Sequence, residues 1–159
     1  MRDRPAFTAQ FVLCLAIAAG AFFAWHQGIP QLVWANSPAG YFGLAITALF
    51  VWTASRLLRQ AWHVDAISAW NNHAFRVDAL LDHGDTWTAH LAVLLFPSIG
   101  FVGTVAGLSL SFKAAGVNVA ALMAGGSTAF YSTGCGLVAM ILMSVMVGNL
   151  DAAIRRASR

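Results

Sequence analysis

The sequence contains little charge: 9% of its 159 residues are Asp, Glu, Lys or Arg, and glutamate does not occur at all. Hydrophobic residues make up 59% of the chain. That composition leaves too few charged side chains to cover the surface of a soluble globule of this length. It therefore excludes a soluble domain and indicates an integral membrane protein.

Cysteine is also scarce. Cys14 and Cys135 each lie in an apolar segment, so we interpret them as small hydrophobic residues and not as a disulfide or a metal pair. The five histidines have spacings that match no compact metal or haem site, so we expect no metal and no cofactor. No nucleophile–base pair is placed at one depth, so we expect no enzyme. Basic residues are not interleaved with aromatics on a soluble domain, so we expect no nucleic-acid partner.

Charged residues are separated by three long uncharged gaps of 51, 27 and 37 residues. A helix that crosses the lipid bilayer needs about 20 apolar residues. The first gap is long enough for two spans, and Gly28, Pro30 and the segment 36–40 supply a turn between them. We therefore predict an all-α, single membrane domain over 1–159 with a cytoplasmic loop at 58–90. The four predicted transmembrane spans are 7–25, 41–57, 91–112 and 127–148.

The loop at 58–90 is predicted to begin as a helical continuation of the second span. An apolar stripe at roughly helical spacing supports this prediction. Its members are Trp62, Ile67, Trp70, Phe75 and Leu81. Gly84 is the predicted end of this helix, and the loop is too short to form a domain with its own core.

Arginine is distributed asymmetrically between the spans. All eight arginines lie before the first span, between the second and third, or after the fourth, whereas the opposite side has only Lys113. Basic residues favour the cytoplasmic side of a membrane, so we predict that the N- and C-termini are cytoplasmic. A three-span arrangement would divide the arginines between the two sides. The length of the first apolar stretch argues against a cleaved signal peptide.

No acidic residue lies within a predicted span. The six acidic residues are Asp3, Asp65, Asp78, Asp82, Asp85 and Asp151. A membrane proton carrier usually needs a titratable group at depth, and hydroxyl groups do not ionise at physiological pH. The chain therefore either moves no ions or depends on a partner that supplies the carboxylate.

The last two predicted spans are rich in glycine and hydroxyl residues. In the third span, Gly100, Gly103 and Gly107 share one helix face, and residues 103–107 form a GxxxG element that allows close helix packing. In the fourth span, Thr133 and Ser144 fall on one face together with Gly136 and Met140. These hydroxyls either donate to carbonyls of their own helix or line a polar path, and the spacing leaves both possibilities open.

Two segments resemble the last two spans of the MotA/TolQ/ExbB proton-channel family: Phe101-Val-Gly-Thr-Val-Ala-Gly107 and Ser127-Thr-Ala-Phe-Tyr-Ser-Thr-Gly-Cys-Gly-Leu137. The resemblance covers about residues 92–150 and combines Gly-Thr-Val-x-Gly with a later Thr-x-x-Gly-Leu. It implies a ring-forming homopentamer in the bacterial inner membrane, around a dimer of a single-span, aspartate-bearing protein like MotB, TolR or ExbD. The partner's aspartate would carry the ion, expected to be H⁺, and Thr104 and Thr133 would line its path.

The sequence departs from parts of this family. Thr128 stands where TolQ- and ExbB-like members carry glutamate, and the loop 58–90 is far shorter than the cytoplasmic domain of flagellar stators, which share the four-span arrangement. The resemblance therefore implies a compact stator that drives another envelope-spanning machine. A structural scaffold or holin-like oligomer without ion coupling is the alternative. The predicted ion-path residues are Thr104, Ser111, Thr128, Ser132, Thr133 and Ser144, and the predicted packing residues are Pro97, Gly100, Gly103, Gly107 and Gly136.

Overall fold

The computed structural model describes residues 5–26, 39–67, 86–115 and 119–157, some of them by their backbone alone. Of these residues, only Thr86 is not helical. The predicted turn around Gly28 and Pro30, and the part of the predicted loop at 68–85, lie outside the described residues. The described residues form four helices, which are α1 (Pro5–His26), α2 (Ala39–Ile67), α3 (Trp87–Ala115) and α4 (Val119–Ala157).

Three of the helices are long and apolar enough to cross a membrane, over Tyr41–Ile67, Trp87–Lys113 and Phe130–Ala157. In α1 the described apolar stretch, Pro5–Ala21, is shorter. The whole of α1 has 22 residues, which at 1.5 Å per residue extend about 33 Å, close to the thickness of the hydrocarbon core. Many large apolar side chains face outward from the bundle, among them Leu94, Phe101 and Phe130. The chain is therefore an all-helical, multi-pass membrane protein.

The four helices alternate in direction. Near the end of α2, Asp65 contacts the first amides of α1, and near the end of α4, Asp151 contacts Thr86 at the start of α3. Gln10 of α1 donates its side-chain amide to the carbonyl of Met146 in α4 at 2.5 Å. Helices α1 and α3 therefore begin, and α2 and α4 end, at one end of the bundle. We call it the basic end, because it contains Arg56, Arg59, Arg155 and Arg156.

The apolar core is concentrated in the half of the bundle near the basic end. Leu57 of α2, Phe96 of α3 and Leu150 of α4 are fully buried there. The ring of Phe96 also packs against that of Phe50, with 6.1 Å between centroids. Between membrane helices, dense van der Waals contact supplies much of the stabilisation. This core therefore fixes α3 against α4 from the basic end up to Phe96.

Of the predicted apolar stripe on the continuation of α2, Ile67 is buried and Trp62 is exposed, and the other three members lie outside the described residues. Leu57, Ala61 and Val64 form the buried face, whereas Trp62 is exposed and packs edge-on against Phe7 of α1 at 5.0 Å between centroids. The buried residues have the spacing i, i+4 and i+7 of one helix face. The indole of Trp62 lies outside this buried face and contacts α1 there.

Asp65 caps α1 from the neighbouring helix. Its two carboxylate oxygens accept hydrogen bonds from the backbone amides of Ala6 (3.3 Å) and Phe7 (2.8 Å). These amides belong to the first turn of α1, where no intrahelical acceptor is available, and a negative charge there also favours the helix dipole.

We expect Asp65→Ala to weaken the docking of α1 by about 1–2 kcal/mol, the usual cost of losing a helix cap. Hydrogen exchange of the α1 amides in detergent should accelerate accordingly. Asp65→Asn is the matched control, since it keeps a side-chain oxygen and should lose less protection. Equal exchange in Asp65→Ala and the wild type would show that the cap does not hold α1.

Candidate functional site

The interface between α3 and α4 is the most extensive in the bundle, and two glycines bring these helices closest together. A Cβ atom on Gly100 would lie 2.7 Å from the backbone oxygen of Ser132. A Cβ atom on Gly136 would lie 2.5 Å from the backbone oxygen of Phe96. Any larger residue at either position would force the two backbones apart.

Gly103 allows α2 to join the same contact. A Cβ atom there would lie 2.8 Å from the hydroxyl of Ser132 and 2.9 Å from the Cβ of Phe42 in α2. Gly107, one turn further along α3, is buried. Pro97 is half-buried, and α3 continues through it without a break. The close approaches of Gly100, Gly103 and Gly136 are therefore made within one copy of the chain.

Three hydroxyl groups gather around the backbone carbonyl of Gly100, and we call Thr104, Ser132 and Thr133 the hydroxyl cluster. The Gly100 oxygen lies 3.3 Å from Thr104 Oγ1, 3.0 Å from Ser132 Oγ and 3.2 Å from Thr133 Oγ1. The hydroxyls of Thr104 and Thr133 are 2.5 Å apart, and those of Thr104 and Ser132 are 3.4 Å apart. Ser132 and Thr133 thus reach across from α4 to α3.

The cluster has more donors than its shared acceptor can take. A carbonyl oxygen has two lone pairs. The Gly100 oxygen is within hydrogen-bond distance of three hydroxyls, in addition to the amide four residues later that every α-helix provides. Because the amide takes one of these lone pairs, at least two of the three hydroxyl protons point elsewhere, to another cluster member or to another acceptor. Because hydroxyl groups rotate to suit their partners, the cluster can donate to, or accept from, a group placed beside it.

Access to the hydroxyl cluster is through Thr133. Thr104 is 7% exposed and Ser132 is 1% exposed, whereas Thr133 is partly open to the outside of the bundle. The buried hydroxyl of Thr104 is therefore connected to the outside of the bundle by way of its contact with Thr133. Thr104 and Thr133 were predicted to have the same role, whereas in the structure they differ in exposure.

Two other predicted ion-path residues bond to their own helix. Ser111 donates to the carbonyl of Gly107 at 2.8 Å, and Ser144 donates to that of Met140 at 2.7 Å. Both bonds run to the residue four positions earlier, the usual arrangement for hydroxyls in membrane helices. Thr128 belongs to α4, but its side chain lies outside the described part of the structure.

The hydroxyl cluster contains no charged or titratable group. Within the described ranges, no three His, Cys, Asp or Glu side chains are grouped so that they could hold a metal ion. Asp151 follows Thr133 by 18 residues on α4, which is about 27 Å at 1.5 Å per residue. The cluster can therefore hydrogen-bond to water or to an ionisable group from elsewhere, but it cannot itself bind and release protons.

A polar contact at the basic end of the same interface was not predicted from the sequence. Asp151 accepts a hydrogen bond from the Thr86 hydroxyl at 3.1 Å and lies 3.7 Å from Nε2 of His90. The spacing of residues along α3 and α4 did contain a signal of this contact. Eighteen residues are five helical turns, so Asp151 shares a face of α4 with Thr133, and His90 precedes Thr104 by 14 residues, within about 40° of the same face of α3.

Comparison with protein families gives one match. Residues 68–159, more than half of the chain, match the model of the MotA/TolQ/ExbB proton channel family. The matched range includes α3 and α4 and therefore all three members of the hydroxyl cluster. No curated protein and no solved structure matches the chain.

Proposed function

Because the chain belongs to the MotA/TolQ/ExbB proton channel family, we propose that it is the ring-forming channel subunit of an ion-driven motor complex. In the proposed complex, five copies surround a dimer of a single-span partner that carries an aspartate. The complex lies in the bacterial inner membrane, and the ion is H⁺. The basic end and both termini face the cytoplasm, as the arginine distribution favours.

The observation that supports this proposal best is the hydroxyl cluster, in which hydroxyls of α3 and α4 share the carbonyl of Gly100. Thr133 is open to the outside of the bundle, and a partner aspartate beside it would find a suitable partner in either protonation state. The ionised carboxylate accepts a hydrogen bond from the hydroxyl, and the protonated acid donates one to it. The chain thus supplies the hydrogen-bonding half of an ion site and takes the ionisable half from another chain.

The energetics of this arrangement are sufficient for mechanical work. One proton that crosses about 150 mV releases roughly 3.5 kcal/mol. That energy can bias a step between two packed states that differ by a few kcal/mol. The tight glycine contacts between α3 and α4 keep the cluster rigid, so that each change in the aspartate's protonation acts on the position of the whole helix pair.

Co-purification and proton flux test the proposal together. We expect native mass spectrometry of the purified complex to show five copies with two single-span partners. In liposomes with an imposed potassium diffusion potential, the complex should take up protons, and replacing the partner's aspartate by asparagine should stop the uptake. An oligomer with a different number of copies, without the single-span partner and without proton flux, would contradict the proposal. It would favour the scaffold or holin-like alternative.

A further inference from the structure

The basic end of the α3–α4 interface contains an ordered histidine–aspartate pair. Nδ1 of His90 lies 3.0 Å from the backbone oxygen of Thr86. A carbonyl oxygen only accepts hydrogen bonds, so this contact favours the tautomer with its proton on Nδ1. In the neutral ring Nε2 then has a lone pair, and it is this nitrogen that lies 3.7 Å from Asp151.

The surroundings hold the imidazole in position and leave it accessible. The carbonyl of Thr86 also accepts the amides of Ala89 and His90, and the Thr86 hydroxyl donates to Asp151. The side chain of His90 is nevertheless 51% exposed, and that of Asp151 is 28% exposed. A ring with one fixed N–H, one available lone pair and a neighbouring carboxylate is suited to accept a proton and release it to water.

The pair lies in line with the hydroxyl cluster. On α4, Met140 and Ser144 occupy the same face as Thr133 and Asp151, at intervals of seven, four and seven residues. These residues form a stripe of partly or fully exposed positions that runs from the cluster to the basic end. Going along this stripe from Thr133, the first acid–base groups are Asp151 and its partner His90.

We propose that His90, positioned by Thr86 and Asp151, is the group that receives the proton on its exit to the cytoplasmic side. This inference depends on the proposed function. The O–H bond of the protonated partner aspartate breaks, and the proton passes along water to Nε2 of His90, where an N–H bond forms. The Asp151 carboxylate then faces an imidazolium. The Nε2–H bond breaks in turn as the proton passes to bulk water or buffer.

Among the described contacts, the charged group that faces this ring is Asp151 of α4, 3.7 Å from Nε2. Its carboxylate carries the charge opposite to that of the imidazolium while the ring holds the proton.

Proton flux through the reconstituted complex tests the proposal. His90→Gln keeps a side-chain N–H that can donate to Thr86 and removes the titratable ring. We expect it to lower proton flux about tenfold, less than the full effect of a positioned acid–base group because water can partly replace it. Imidazole added as a buffer on both sides should restore the flux. Asp151→Asn should also lower flux, because it removes the carboxylate that neutralises the imidazolium.

The pH profile separates an acid–base role from a structural one. Wild-type flux should depend on pH more strongly than the flux of His90→Gln, because only the wild type has an acid–base group at this position. His63→Gln is the matched control, because His63 is exposed near the same end but on α2, and it should behave as wild type. If His90→Gln keeps the wild-type flux and profile, the inference is wrong and the proposed function stands. If the wild-type complex passes no protons, both are wrong.

Discussion

Thr133→Val should nearly abolish proton flux through the complex while leaving its assembly intact. Valine keeps the shape of threonine but removes the hydroxyl of Thr133, the cluster residue that is partly open to the outside of the bundle. A hydrogen bond to a charged group contributes about 1.5–3 kcal/mol. If that bond is strongest at the step in which the partner aspartate changes protonation, its loss slows the step by about 10- to 100-fold.

Thr104→Val should have a smaller effect than Thr133→Val. Its hydroxyl is buried and contacts the partly exposed Thr133 at 2.5 Å. After its removal, Ser132 and Thr133 can still share the Gly100 carbonyl. The two substitutions act within one network, so the double variant should lose less than the sum of the two single losses.

The control for this series is Thr47→Val on α2. Thr47 is also a hydroxyl residue in a candidate membrane span, but it donates to the carbonyl of Gly43 in its own helix at 2.9 Å. Its loss should leave the flux unchanged. The measurement is the initial rate of proton uptake by liposomes at equal protein content, with native mass spectrometry to verify the assembly. If the Thr133→Val complex had wild-type flux, the hydroxyl cluster would not be part of the ion path.

The sequence is sufficient to predict the helices, because their signals are local. Long uncharged gaps mark the membrane helices, and the alternating position of the arginines agrees with a bundle in which α1 and α3 begin at the basic end. The family could also be predicted, since the glycine and threonine motifs of α3 and α4 occur at characteristic positions, and the family match confirms it.

The roles of individual hydroxyls could not be predicted, because they depend on the distance between helices. Ser144 and Ser132 are both serines on a glycine-rich helix, yet Ser144 bonds to its own helix and Ser132 bonds to the carbonyl of Gly100. The difference arises because Gly100 lets the two backbones come close enough for Ser132 to reach across. Spacing in the sequence shows which residues share a face, but not how near the facing helix lies.

The contacts of the basic end were missed for a related reason. Asp65 and Asp151 were placed outside the predicted spans, and no contact was predicted for either residue. In the structure each reaches the start of the neighbouring antiparallel helix, where Asp65 accepts backbone amides of α1 and Asp151 accepts the Thr86 hydroxyl. These contacts depend on which helix ends lie side by side, and the spacing of residues in the sequence does not specify that.

Gly136→Ala should separate α3 from α4 and abolish both the hydroxyl cluster and the proton flux. Its new Cβ atom would lie 2.5 Å from the Phe96 oxygen, and a backbone atom cannot turn aside as a flexible side chain can. Relieving the overlap requires the helices to move apart by several tenths of an ångström. We expect a loss of stability of about 1–3 kcal/mol, as for other overpacked sites.

The same movement explains why function should fail together with stability. Ser132 and Thr133 reach the Gly100 carbonyl at 3.0 and 3.2 Å, so a separation of about 0.5 Å brings both contacts to or beyond the limit of a useful hydrogen bond. Gly134→Ala is the matched control two residues away, because its Cβ would meet nothing within 4 Å. That substitution should leave flux unchanged and raise helix stability by up to about 1 kcal/mol. Thermal unfolding in detergent and proton uptake measure the two effects, and equal behaviour of the two alanine variants would show that close backbone approach at Gly136 is not required.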